Sequence, residues 1–179
     1  MRRISFVCLL MWMCPAIASG QSFQLQGAAG PTIIDSGYSL AGGVGLTAGS
    51  RVSLLVSFER THISSEVRRD ELGRITSSFR GGTFTLGTVE ARVGLLRRDR
   101  VTPYVLGGFA AGVSRPNVNA TFPDPVTNDV QAIFFGGGLH VPIGEHLSVF
   151  GDGRLLFGEE GDDGIAAALP IRAGVAWRF

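Results

Sequence analysis

Apolar residues recur at every second position through most of this chain after residue 21, and that period restricts the fold more tightly than any other feature of the sequence. Successive side chains of a β-strand point to opposite faces, so a strict alternation means strands with one apolar and one polar face. Residues 51–59 show it best. Val52, Leu54, Val56 and Phe58 fall on one face, Arg51, Ser53, Ser57 and Glu59 on the other, and only Leu55 breaks the pattern. At the C-terminal end Ile165, Ala167, Leu169, Ile171, Ala173, Val175, Trp177 and Phe179 share a face, opposite Arg172, Gly174 and Arg178. Compatible but weaker strands are predicted at 22–30, 37–47, 81–96, 101–114, 130–142 and 147–157, which brings the number to eight. Helical spacing of apolar residues never persists for three turns.

The connections carry the next step. Residues 48–50, 97–100 and 143–146 read as short turns, whereas 31–36, 64–80, 115–129 and 158–164 read as longer links. Short and long connections therefore alternate, and in an up-and-down meander they gather at opposite ends. Membrane-spanning barrels have that asymmetry, with short periplasmic turns and longer external loops. Pro103 and Pro170 weaken the pattern locally, because proline cannot donate to the ladder.

Alternation alone does not say which face is inside. A soluble barrel turns its apolar side chains inward, whereas a lipid-embedded barrel turns them outward and fills the lumen with polar groups. Arg51, Glu59, Glu90, Arg92, Asp152, Arg154 and Arg172 lie within or near strands, four arginines against three acids, with small residues beside them. Facing hydrocarbon, each arginine would cost roughly 2–4 kcal/mol near the midplane. Paired along a narrow axis they can neutralise one another, so the seven are predicted to form a luminal charge network. Glycine is abundant, 26 residues in 179, about twice its usual share of ~7%. Phe23, Phe58, Phe84, Phe109, Phe134, Phe135, Phe150, Phe157 and Trp177 are expected to supply the outward aromatic girdles.

The first twenty residues read differently. Arg2 and Arg3 precede an apolar run from 4 to 13, and Ala16 and Ala18 have the spacing of a signal-peptidase site, so residues 1–20 are predicted to be a cleaved leader and 21–179 one barrel domain. Cys8 and Cys14 both lie in that leader, which leaves the mature chain no disulfide and no thiol ligand. All 16 basic residues are arginine, and removal of the first two leaves fourteen against fifteen acids. A nearly neutral chain has no basic stripe for nucleic acid.

Residues 169–179 resemble the terminal signal of outer-membrane barrels, and 102–112 and 135–139 resemble mid-barrel strands of the OmpA-like and OmpX-like small barrel family. The resemblance covers nearly the whole mature chain. It implies an all-β, eight-stranded antiparallel transmembrane barrel in a bacterial outer membrane, reached through the periplasm. It also implies that Val175, Trp177 and Phe179 are read by the barrel assembly machinery, and that a monomer without cofactor contacts outer-membrane lipids and lipopolysaccharide.

Sites of chemistry are sparse. His62 and Ser64, with Glu66 close by, are similar to the histidine–serine pair of outer-membrane lipid A deacylases, although Ser65 stands where that family has asparagine and the pair comes early in the chain. Lipid A hydrolysis is thus the alternative to a structural or surface-contact role, and a narrow channel or small-ligand carrier is a further one. Glu159, Glu160, Asp162 and Asp163 offer oxygen ligands without calcium-loop spacing. Arg68, Arg69, Arg74 and Arg80 enrich the second long link, interleaved with Glu66, Asp70 and Glu71. Asn119 to Thr121 matches a eukaryotic glycosylation acceptor, which has no meaning in a bacterial setting. His140 and His146 lack a third ligand nearby, so no metal site is expected.

Overall fold

The computed structural model of the chain describes residues 21–33, 36–49, 51–79, 81–95, 101–118, 127–160 and 165–179, and the predicted leader, the turn at 97–100, the Asn119 acceptor and Asp162 and Asp163 lie outside them. Strands β1 (Gln21–Thr32), β2 (Gly37–Ala48) and β3 (Val52–Ile63) come first; a small hairpin follows, β4 (Glu66–Arg69) and β5 (Ile75–Phe79). Then come β6 (Gly82–Gly94), β7 (Thr102–Pro116), β8 (Asn128–Pro142) and β9 (Leu147–Glu160). The last stave has two segments, β10 (Ile165–Ala168) and β11 (Ile171–Arg178).

Every neighbouring pair is antiparallel, and β11 pairs with β1 from Gln24↔Arg178 to Ala29↔Ala173, so the eight staves close into a barrel. Closure removes the free edges that an open sheet would expose. Paired residues followed round the wall from Gln24 reach Ala168 on the last stave, yet Gln24 itself pairs with Arg178, a shear of ten residues. Such a stagger goes with strands tilted roughly 40° from the axis. Pro170 splits the last stave because it donates no hydrogen bond, but Ala168↔Leu156 and Ile171↔Gly153 keep one register across the break.

The strands outrun their sequence-derived ends mainly on one side of the barrel. β1 reaches Thr32 and β2 starts at Gly37, and β9 reaches Glu160 before β10 starts at Ile165, so two of the four links expected to be long shrink to four residues. Ladder hydrogen bonds carry these strands past the point where apolar alternation stops. The longer links are residues 64–81 and 117–127, and the first contains a hairpin that the sequence pattern did not reveal. At its tip Asp70 Oδ1 accepts from the amides of Leu72 (3.0 Å) and Arg74 (2.7 Å), while Gly73 takes a positive φ of 76°.

The direction of the apolar face is unambiguous. Val52, Leu54, Val56 and Phe58 are 47%, 45%, 55% and 58% exposed, whereas Leu55, Ser57 and Glu59 between and beyond them are 1%, 7% and 1% exposed. The other staves agree. Leu25, Val44, Val89, Val105, Phe109, Ile133, Phe135, Val175 and Trp177 all face outward. A continuous apolar exterior of this kind has no stable counterpart in water and is matched by hydrocarbon.

The expected girdles hold only in part. Phe134 and Phe150 are buried in the lumen, and half-buried Phe84 packs against the same interior cluster. Three luminal rings lie directly across the ladder from glycine: Phe134 from Gly108, Tyr104 from Gly138, and Phe150 from Gly174. A methyl group at Gly138 would come within 2.7 Å of Tyr104 Oη, and one at Gly174 within 2.5 Å of Phe150 Cζ. Three of the 26 glycines thus make room for rings inside a narrow barrel. Gly174→Val is expected to lower unfolding stability by about 1–3 kcal/mol through overpacking. Gly42→Ala, where an added Cβ meets nothing within 4 Å, should change it by less than about 0.5 kcal/mol. Equal effects in urea unfolding of micelle-embedded protein would refute the ring-seating account.

Candidate functional site in the barrel lumen

Six of the seven charged residues expected in the lumen meet there. Glu59 comes from β3, Glu90 and Arg92 from β6, Asp152 and Arg154 from β9 and Arg172 from β11, and every one is at most 6% exposed. Arg51 stands apart from this cluster: it is in the turn before β3, exposed at the turn-end mouth of the lumen. Four arginines against three acids thus becomes three against three, so the buried set is electrically balanced.

Asp152 is the hub. Its carboxylate accepts from Arg154 Nε at 3.2 Å, from Arg172 Nε and Nη2 at 3.1 Å each, and from Tyr104 Oη at 3.1 Å. Arg172 also donates through Nη1 to Glu59 Oε2 at 3.0 Å, so one guanidinium joins two carboxylates across the lumen. Glu59 additionally accepts from Ser39 (2.9 Å) and Thr61 (3.3 Å). Glu90 pairs with Arg92 Nε and with Arg154 Nη2. Aromatic faces complete the shell, with Arg92 4.9 Å from the Phe150 centroid and 5.2 Å from that of Tyr104, and Arg154 5.1 Å from that of Phe134. The misplaced phenylalanines therefore have a task inside.

Buried ion pairs repay their desolvation only when geometry is good and the remaining donors are satisfied. Here each carboxylate meets at least two guanidinium groups, and balance leaves no net charge on the axis. Toward the loop end, Leu86, Ala110, Val130, Ala132 and Phe134 pack together inside the lumen, helped by Phe84 and Leu156. The arrangement is a plug of side chains: an ionic cluster with apolar packing on its loop side, beside the buried hydroxyls of Ser39, Thr61 and Ser114. The sequence had pointed to the charges but not to Tyr104, Ser39 or Thr61, whose only signal is their parity with luminal neighbours.

The other candidates are scattered. His62 Nδ1 is 3.1 Å from Thr83 Oγ1 and its ring lies 5.4 Å from that of Tyr38, while Ser64 is tied by its amide to Ser36; no hydrogen bond joins His62 to Ser64 among the described residues. His146 Nδ1 is 2.9 Å from the Arg178 carbonyl oxygen and its ring stacks on Trp177, and His140 lies at the turn end of β8. Val175, Trp177 and Phe179 project outward along the last stave, 53%, 45% and 66% exposed. Arg74 is exposed beside the Asp70 turn. Glu159 and Glu160 end β9. Among the described residues no group of three or more histidine, cysteine or acidic side chains is placed to hold a metal ion.

No protein-family model and no curated protein sequence matches the chain. Its shape, however, is similar to solved outer-membrane barrels. Neisserial surface protein A superposes with a TM-score of 0.61 at 10% identity, covering 89% of this chain and 96% of that one. The N-terminal β-barrel domain of Pseudomonas aeruginosa OprF gives 0.57 at 16% identity, covering 88% and 97%. The attachment invasion locus protein Ail of Yersinia pestis, solved with the heparin analogue sucrose octasulfate, gives 0.51 at 16% identity, covering 89% and 99%. The chain therefore has the eight-stranded fold of the small outer-membrane barrels, the architecture that OmpA-like and OmpX-like proteins share.

Proposed function

We propose that this protein is a non-enzymatic barrel of a bacterial outer membrane, exported through the periplasm, whose wall and plug are a scaffold and whose loop end makes the functional contacts. The observation that carries this reading is the contrast between the two parts of the molecule. The lumen is filled by balanced ion pairs and apolar packing, while the link between β3 and β6 forms a separate hairpin, β4–β5, that pairs with no strand of the main sheet among the described residues. Length spent on an ordered projection, rather than on a wide lumen, fits contact with molecules outside. Arg68, Arg69 and Arg74 fall in the sequence of that hairpin, and guanidinium forks suit the phosphates of lipopolysaccharide or other anionic surface polymers.

Outer-membrane lipid meets the apolar wall, and the closed ladder supports a monomer. The outward Val175, Trp177 and Phe179 offer the assembly machinery a single apolar edge while the last stave is still unpaired. Replacement of residues 66–79 by a short Gly-Ser turn tests the surface role. The barrel should still fold and show the mobility shift on boiling that intact barrels give, while binding of lipopolysaccharide aggregates or sulfated polysaccharide falls at least about tenfold. Undiminished binding would remove the hairpin from the function, and loss of lipid A acyl chains in cells expressing the protein would favour a hydrolase instead.

A further inference from the structure

At the turn end, below the plug, the lumen widens into a small cavity of about 60 Å³ lined by Arg51, Arg92, Arg178 and His140. A single water needs only roughly 10–15 Å³ of such space, so a four-oxygen ion fits. The lining is lopsided in charge: among the described residues no carboxylate contributes to it. The three buried acids and three buried arginines already balance, which makes Arg51 and Arg178 an excess of two positive charges at this mouth. Arg92 is 6% exposed, its Nε pairs with Glu90, and its Nη2 makes no hydrogen bond and lies 3.7 Å from Asp152 Oδ2. One buried guanidinium donor is thus left over on the same side of the plug.

The donors are also distributed round the axis. Arg51 precedes β3, Arg92 lies on β6, His140 on β8 and Arg178 on β11, and Gln24 on β1, Thr47 on β2 and Thr102 on β7 occupy the intervals. A planar carboxylate satisfies donors on one side only, whereas a tetrahedral oxyanion presents oxygens in every direction and accepts guanidinium forks in pairs.

We propose that this mouth is a binding site for a phosphate-type oxyanion, either the free ion or the terminal phosphate of a soluble monoester, approached from the side of the short turns. The inference is independent of the hairpin's role, since it uses the opposite end of the barrel. It is tested on the full barrel folded in a maltoside detergent, which carries no phosphate of its own, by titrating inorganic phosphate, glycerol 3-phosphate and acetate at constant ionic strength. Binding is followed through the arginine Nε–Hε resonances and by calorimetry. Phosphate is expected to saturate the site, and Arg51→Gln and Arg178→Gln, both at exposed positions that leave the plug intact, should each weaken it about tenfold while the boiling shift is retained. Binding of the ester as well identifies a terminal-phosphate site, and binding of phosphate alone identifies a free-ion site. No saturable binding, equal response to acetate, or unchanged affinity in both variants overturns the proposal.

Discussion

Asp152→Ala is expected to destabilise the barrel by about 3–5 kcal/mol, the largest effect of any single substitution in the lumen. The alanine removes four hydrogen bonds at once and leaves Arg92, Arg154 and Arg172 facing only Glu59 and Glu90. Uncompensated positive charge in a buried site is costly, and the apolar side chains packed beside it, Leu86 and Phe134 among them, offer no acceptor. The pair of substitutions Asp152→Ala and Arg172→Met separates charge balance from packing. It restores two arginines against two acids, so the double variant should regain at least half of what the single one loses, although more atoms have been changed. Urea unfolding of the protein in liposomes, read by tryptophan fluorescence and by the boiling shift, gives both numbers. If the two variants are equally unstable, the ion pairs are passive filling and the balance of three against three has no energetic meaning.

How far this interior could be read beforehand depended on the residue types in each strand. In β3 the two faces differ in chemistry, apolar against serine and glutamate, so parity taken with the cost of a charge facing hydrocarbon puts Glu59 on the luminal side, where it is buried. In β7 and β8 both faces are apolar. Tyr104, Leu106 and Phe134 alternate with Val105, Phe109, Ile133 and Phe135, and nothing local distinguishes a ring that meets lipid from one that meets an arginine. What settles it is the ladder: register places Phe134 across Gly108 from Glu90, and Tyr104 across Gly138 from Asp152, on the side of the buried charges, whereas a glycine opposite is not enough, since outward-facing Phe135 also lies across from Gly107. That information is long-range, set by which strand pairs with which and in what register, and no window on the sequence contains it. Arg51 illustrates the other boundary. It shares parity with Ser53 and Glu59, but it stands one residue before the ladder starts, where the wall ends and solvent begins. The same limit hid the β4–β5 hairpin, whose strands of 4 and 5 residues are too short for a period to register.

Orientation is the premise beneath all of this, and a single arginine on the outside tests it. Val56 is 55% exposed and lies mid-ladder, paired with Val44 on β2 and Val89 on β6, each itself outward-facing and apolar. Val56→Arg should cost about 2–4 kcal/mol in a bilayer, because the guanidinium sits far from either interface and has no carboxylate partner. Val52→Arg, four residues nearer the turn end, can reach interfacial water and should cost less than about 1 kcal/mol. The gradient matters more than either value. In a water-soluble barrel both positions would be solvated surface, and an added arginine would change stability by no more than about 0.5 kcal/mol at either. A steep dependence on depth therefore identifies the surrounding medium as hydrocarbon from measurements on the wall alone. A flat response would mean that the apolar exterior is covered by something other than lipid, and the plug, the hairpin and the basic mouth would all need a different explanation.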